Sequence, residues 1–205
     1  PNITNEPIKS YAPGSPERKE LKSQINQLRS IVADVPMIID GKEVRTGKLV
    51  DIRPPHDHHH LLGHYHQGDA SHVQMAIDAA LKAKPAWEKM SWESRAAIFL
   101  KAADLLAGPY RMNAVTMLGQ SKNAFQAEID CVAELADFFR FNVKNMYEIY
   151  HMQPNSAPGI WNRTVWRPLE GFVFALTPFN FTSIAGNLPG APALMGNVCV
   201  WKPSK

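Results

Sequence analysis

Two short apolar runs near the end of the chain, separated by one stretch of helical period, restrict its fold more than any other feature. Phe172-Val173-Phe174-Ala175-Leu176 is uninterrupted by polar residues, the pattern of a strand buried on both faces of a sheet. Pro178 ends it. From Ser183 to Met195, Ile184, Leu188, Ala191 and Leu194 recur at helical spacing, closed by Gly196. Pro189 and Pro192 are expected to kink or split that helix. Val198-Cys199-Val200-Trp201 then forms a second apolar strand, broken by Pro203. Strand, helix and strand in roughly 30 residues make a βαβ unit with parallel strands and a right-handed crossover. Parallel strands end at the same edge of their sheet, and open α/β sheets bind ligands there. Thr177 to Phe181 and Lys202 to Lys205 should therefore line one site, with Asn180 and Lys202 in it. The sheet has only opened when the sequence ends, so the chain is expected to be the front part of a larger α/β fold.

The segments upstream read as a separate, largely helical layer. Residues 1–36 form an arm, Pro- and Ser-rich at first, with Leu21, Ile25, Leu28 and Val32 at helical spacing from Glu17 to Val32. Met37 to Val44 reads as a β-hairpin about Asp40-Gly41, a pair that favours the type I′ turn. Val50 to Arg53 forms another short strand. Six histidines follow between His56 and His66. Their spacing matches no standard metal site and no cysteine accompanies them, so no metal is assigned.

Amphipathic helices come next. The first has Ser71 and Gln74 as an expected capping box and Val73, Ala76, Ile77, Ala80 and Leu81 as its apolar stripe. The second is capped by Ser91, points Ile98, Ala102 and Leu105 inward and stops at Gly108-Pro109. A third covers about Tyr110 to Leu118. In a long fourth, Phe125, Ile129, Val132, Ala136, Phe139, Val143, Met146 and Tyr150 form one continuous seam. Glu134 lies off that seam, on a flank shared with Asp130 and Phe138. From residue pattern alone it reads as a solvated acid, with a cleft-facing acid as the alternative. Residues 151–170 make a Pro- and Gly-punctuated connection with a strand at Thr164 to Arg167.

Bulk properties exclude several classes. The 205 residues carry a net charge of +3, with Lys and Arg scattered, which gives no basis for nucleic-acid binding. No apolar run reaches the length of about 20 residues that spans a bilayer. Cys131 and Cys199 lie far apart in apolar surroundings and read as reduced core thiols. The first residue is Pro1 and not Met, which reads as a processed start.

The turn after the first strand is Thr177-Pro178-Phe179-Asn180-Phe181, so the usual G-x-G-x-x-G turn of a dinucleotide fold is absent there. "TPFNF" followed by "GNLPGAPALMGNVCVWKPSK" resembles the N-terminal half of the coenzyme domain of the aldehyde dehydrogenase superfamily. "AAIFLKAADLL", "TMLGQSKNAFQAEIDCVAELADFFRFN" and "LEGFVFALTPFNFTSIAGNLPGAPALMGNVCVWKPS" resemble its Δ1-pyrroline-5-carboxylate (glutamate γ-semialdehyde) dehydrogenase branch, and so does the "PHDHHH" loop. The resemblance runs from about Met37 to the end.

The resemblance implies an α/β fold, specifically the helical layer and the start of the Rossmann-like parallel sheet. Residues 37–150 would form the helical part of the coenzyme-binding domain, 151–170 a connection with an oligomerisation-type strand, and 171–205 the first βαβ unit. It also implies NAD-dependent oxidation of glutamate γ-semialdehyde to glutamate, through a cysteine thiolate that this chain does not supply. By that resemblance, Asn180 donates its side-chain amide to the oxyanion. Thr177, Pro178, Phe179, Lys202 and Ser204 bind the cofactor; Glu134 and Phe181 line the aldehyde pocket. Lys205 stands where NAD-preferring relatives often carry an acid or a neutral residue, which leaves NADP open. The full-length protein is expected to be a homo-oligomer of the mitochondrial matrix, or of the cytoplasm if bacterial. The family's nucleophile and general base are expected beyond Lys205, so the chain alone would be inactive. The alternatives are another semialdehyde dehydrogenase, or a truncated oligomerisation or regulatory module using the Trp161–Arg167 region.

Overall fold

A computed structural model describes residues 2–108 and 112–204. An extended arm leads into α1 (Pro16–Arg29), capped by Ser15, whose hydroxyl accepts from the Arg18 N–H. The helix ends at Arg29, three residues before the expected Val32, which is exposed. Five short strands follow: β1 (Ala33–Val35), β2 (Met37–Ile39), β3 (Lys42–Val44), β4 (Leu49–Ile52) and β5 (Gly63–His66). β2 and β3 form the expected hairpin, with Asp40 and Gly41 both at positive φ (53° and 71°), as a type I′ turn demands. β5 lies between β1, to which it is parallel, and antiparallel β4. The histidine-rich segment thus ends in a strand, and its last imidazole is held by local hydrogen bonds. His66 Nδ1 accepts from the Thr46 and Gly47 N–H groups at 3.1 Å each, so the proton sits on Nε2, 2.8 Å from Asp34.

The helical layer comprises α2 (Ala70–Lys89), α3 (Trp92–Ala107), α4 (Asn113–Gln120), α5 (Ala124–Ala127), a π-helical turn (Glu128–Ala133) and α6 (Glu134–His151). The cap of α2 is Asp69 paired with His72, not Ser71 with Gln74, because the helix starts at Ala70 and Ser71, already in its first turn, donates its hydroxyl to the Asp69 carboxylate. Gln74 pairs with Asp78 instead. Val73 and Leu81 of its stripe are exposed, as is Ile98 of α3, which turns Arg95, Ala96 and Ala103 inward. α4 starts at Asn113, and Tyr110 lies outside the described residues.

The seam of the fourth helix is interrupted by the π-helical turn. Val132, Ala136, Val143 and Met146 are buried, while Phe125 at its start is 60% exposed. Ala96, Val143, Met146 and Leu194 form the central core, with Trp92, Phe99, Leu100, Tyr150 and Met195 around it.

β6 (Val173–Leu176) and β7 (Cys199–Lys202) pair in parallel, joined by α7 (Thr182–Leu194). The βαβ unit expected from the apolar runs is present, with two differences. α7 runs unbroken through Pro189 and Pro192. Gly186 and Gly190 let it press on α6: a Cβ at Gly186 would lie 2.8 Å from Leu135 Cδ1, and one at Gly190 3.0 Å from Phe139 Cε1. β6 is covered on one face only. Ala175 is buried, whereas Phe174 and Leu176 on the opposite face are each 59% exposed, with none of the described residues packed over that face. The expected strand at Thr164 to Arg167 is also absent: Gln153 takes the place of a strand partner, its amide accepting from the Thr164 N–H at 2.8 Å and donating to the Thr164 carbonyl.

Candidate functional site at the carboxyl edge of the parallel pair

The register of β6 and β7 sets Leu176 opposite Lys202, so the residues leaving the two strands emerge together. The Thr177 N–H still reaches the Lys202 carbonyl at 3.3 Å. Thr177 itself is buried, and its hydroxyl accepts from Trp201 Nε1 at 3.1 Å. The threonine hydroxyl therefore locks the two strand ends together, and its carbonyl remains the group on offer. Pro178, Phe179 and Asn180 are exposed on the same edge, Phe179 by 73%, and Lys202 is exposed beside them. Ser204 is half-buried.

At Phe181 the chain turns inward and α7 begins. Its first turn is gripped by polar groups of the helical layer. Gln120 Nε2 donates to Thr182 Oγ1 at 2.8 Å, and the Thr116 and Thr182 hydroxyls lie 3.1 Å apart. Ser183, fully buried, donates its hydroxyl to Glu134 Oε2 at 2.5 Å. Glu134 is thus drawn towards the turn that carries Asn180 and is not an acid standing in solvent. It also lines an open groove of about 790 Å³, whose rim includes Asn5, Glu6 and Ile8 of the arm together with Asp137 and Phe138. The structure gathers Thr177, Pro178, Phe179, Asn180, Phe181, Lys202 and Ser204 at one edge, and ties Glu134 to them through Ser183.

Two sets of contacts escaped the sequence reading. Those of the arm are one. Asp137 accepts from Asn5 Nδ2 and from the Glu6 N–H, each at 2.7 Å, and Glu6 pairs with Arg140 at 2.7 Å. Glu128, buried in the π-helical turn, accepts from the Lys9 N–H at 3.0 Å and the Tyr11 hydroxyl at 2.5 Å. The second is that of Lys122, whose ammonium lies 4.1 Å from the centroid of the Phe181 ring and donates to the Asn180 carbonyl. Neither set of contacts is marked by a residue pattern, so only long-range packing discloses them.

Neither cysteine is placed to attack a substrate. Cys131 is fully buried in the π-helical turn, and desolvation pushes its thiol above the ordinary range. Burial raises the Cys199 thiol too, and its Sγ is spent on the Pro189 carbonyl.

A sequence model of the aldehyde dehydrogenase family matches residues 42–205. The chain belongs to the aldehyde dehydrogenase family. Within that family it is 57% identical over 208 aligned residues to Delta-1-pyrroline-5-carboxylate dehydrogenase of Agaricus bisporus, covering 100% of this chain and 38% of that one. It is 48% identical over 204 residues to the mitochondrial Delta-1-pyrroline-5-carboxylate dehydrogenase of Homo sapiens, covering 98% of this chain and 36% of the relative. The chain therefore spans little more than a third of these relatives' length. Among solved structures, the Mycobacterium tuberculosis Delta-pyrroline-5-carboxylate dehydrogenase bound with NAD superposes with a TM-score of 0.97 at 51% identity, over 100% of this chain and 39% of that one. The mixed helical and sheet architecture is thus the N-terminal part of the aldehyde dehydrogenase fold.

Proposed function

We propose that this chain supplies part of the coenzyme site, and the oxyanion donor, of an enzyme that oxidises L-glutamate γ-semialdehyde to L-glutamate with NAD. The semialdehyde is in equilibrium with Δ1-pyrroline-5-carboxylate, which places the reaction in proline catabolism. The observation that carries this reading is the whole-length match to an NAD-bound pyrroline-5-carboxylate dehydrogenase, on a turn whose exposed residues suit the task.

NAD, when bound, accepts hydride from the aldehyde carbon. The groups on the carboxyl edge fit such a ligand: the exposed Pro178 and Phe179 offer an apolar surface, the Thr177 carbonyl is available, and the exposed Lys202 is free to donate to ribose hydroxyls. Ser204 extends that edge. Asn180 has an exposed side chain one residue before the α7 cap, and its amide donates to the oxyanion that forms when a nucleophile adds to the aldehyde. Phe181 packs against the carbon chain of the aldehyde, and Glu134 lies beside the substrate pocket. Lys205, the residue that leaves NADP open, lies outside the described residues.

The exposed Trp161, Val165 and Leu169 support a homo-oligomer whose second subunit covers this segment. The mitochondrial names of eukaryotic relatives support a matrix location.

The test is steady-state kinetics of the full-length polypeptide carrying this sequence, with glutamate γ-semialdehyde and its shorter and longer homologues, and with NAD+ and NADP+. Glutamate γ-semialdehyde with NAD+ should give the highest kcat/KM, and Asn180→Ala should lower kcat by about 10²- to 10³-fold, as loss of an oxyanion donor does. A clear preference for another semialdehyde, or for NADP+, would refute the substrate or the cofactor assignment respectively.

A further inference from the structure

Lys122 stands between α4 and α5, outside both helices, yet only 14% of its side chain is exposed. Lysine ordinarily lays its stem on apolar surface and keeps its ammonium in water. Here the ammonium is drawn inward and held by groups from two directions. Asp130 of the π-helical turn pairs with it at 2.9 Å, and it donates to the backbone carbonyl of Asn180 while lying over the Phe181 ring. Backbone hydrogen bonding along this stretch reaches Thr177, whose N–H meets the Lys202 carbonyl, and resumes with the Phe181 carbonyl, which accepts from the Ala185 N–H. Lys122 acts in the interval between them.

We infer that Lys122 is a positioning residue: anchored by Asp130, it fixes the Asn180 peptide and the Phe181 ring, and so aims the Asn180 side-chain amide at the developing oxyanion. This rests on the role proposed above for Asn180. An oxyanion donor stabilises the transition state only if its direction is settled before charge appears, and a displacement of about 1 Å costs as much as 100-fold in rate. A turn held at its two ends, with an exposed amide in the middle, lacks that fixity unless something grips the middle peptide. The ion pair with Asp130 supplies the grip from a rigid element.

The experiment is a double-mutant cycle in the full-length enzyme, using Lys122→Met and Asn180→Ala singly and together, on whichever aldehyde the parent enzyme turns over fastest. Lys122→Met should lower kcat about 10- to 100-fold while KM for NAD+ stays within about threefold. In the Asn180→Ala background the same substitution should change kcat by less than about twofold, since the group it aims is gone. A purely structural lysine would lower both backgrounds equally, so independent, multiplying losses overturn the inference, as does an unchanged kcat in Lys122→Met. Should Asn180→Ala itself leave kcat unchanged, the oxyanion assignment falls and takes the inference with it; an impaired Asn180→Ala with multiplying losses sinks the inference alone. If Lys122→Met does not fold, Asp130→Asn carries the same cycle, keeping the lysine and loosening its anchor.

Discussion

Glu128→Gln should loosen the amino-terminal arm from the rest of the protein, and the local geometry says by how much. The Glu128 carboxylate is buried and gathers donors on both oxygens: the Lys9 N–H on Oε1, and the Tyr11 hydroxyl and Asn113 Nδ2 on Oε2. Glutamine keeps one acceptor and turns two N–H groups on the other side. Whichever way the amide is flipped, at least one donor loses its acceptor, and the surviving bonds lose their charge assistance. An unsatisfied buried donor costs about 1–3 kcal/mol, and weakening the others adds about 1 kcal/mol. A sum of about 3 kcal/mol should raise amide exchange about a hundredfold across the arm, because local opening sets protection there. Tyr11→Phe removes one donor and leaves the carboxylate, so its effect should be about tenfold. Hydrogen exchange with peptide-level mass spectrometry on the full-length protein reads both. Unchanged protection around Lys9, or an equal rise throughout the chain, would refute the claim that Glu128 is the clasp of the arm.

Arg95 is buried at the far end of α7 and donates Nε to the Leu194 carbonyl at 2.9 Å, Nη2 to the Tyr150 hydroxyl at 3.2 Å, and Nη1 to the Met90 carbonyl. Arg95→Met strands those acceptors and should cost about 3–5 kcal/mol in denaturant unfolding, with Arg95→Lys recovering less than half, since an ammonium cannot span the same fork. Asp69, the cap of α2, has its carboxyl held well below the usual range, first by the Ser71 hydroxyl and then by His72. A depressed folded pKa means stability that is present above the unfolded carboxylate value and is lost as pH falls through the folded one. Asp69→Ala should therefore lower Tm near neutrality, and the difference from the parent should shrink as the scan moves into strong acid.

The parts of the fold legible in the sequence were those governed by local period and turn chemistry. Asp40-Gly41 named its hairpin, and the runs about Val173 and Val200 named the parallel pair, because a positive-φ turn and a continuous apolar run leave few alternatives. Burial was less legible. Ile98, Val73 and Leu81 sit at core spacing but are exposed, as are Phe174 and Leu176, since periodicity marks an apolar face without saying whether this chain covers it. Thr164 to Arg167 alternates like a strand, yet the ladder needs a partner, and Gln153 answers only Thr164. At the site, Thr177 to Phe181 and Lys202 followed from the rule that parallel strands end together. The contacts of Lys122, Ser183 and the arm did not, because contacts between residues 49 to 132 positions apart leave no local trace.

The π-helical turn explains how one helix serves both ends of the site. Along a regular α-helix an inward face repeats every three or four residues, and the positions between them meet solvent. From Ala127 to Ala133 the inward face widens: Ala133 is buried beside Ala127, Glu128, Cys131 and Val132. Wider winding at this turn, with the arm and α4 on one side and α7 on the other, gives successive residues different partners. Glu128 takes the arm, Asp130 takes Lys122, and Glu134, first residue of the α-helix that resumes, takes Ser183. Inserting such a turn costs hydrogen-bond quality, which is why π-bulges persist mostly where function requires them. Here it lets a single short segment hold the arm that rims the groove, the lysine that grips Asn180, and the first turn of the helix that follows. A drift of this turn would move Glu128, Asp130 and Glu134 together, so the arm, Lys122 and Ser183 are linked through it.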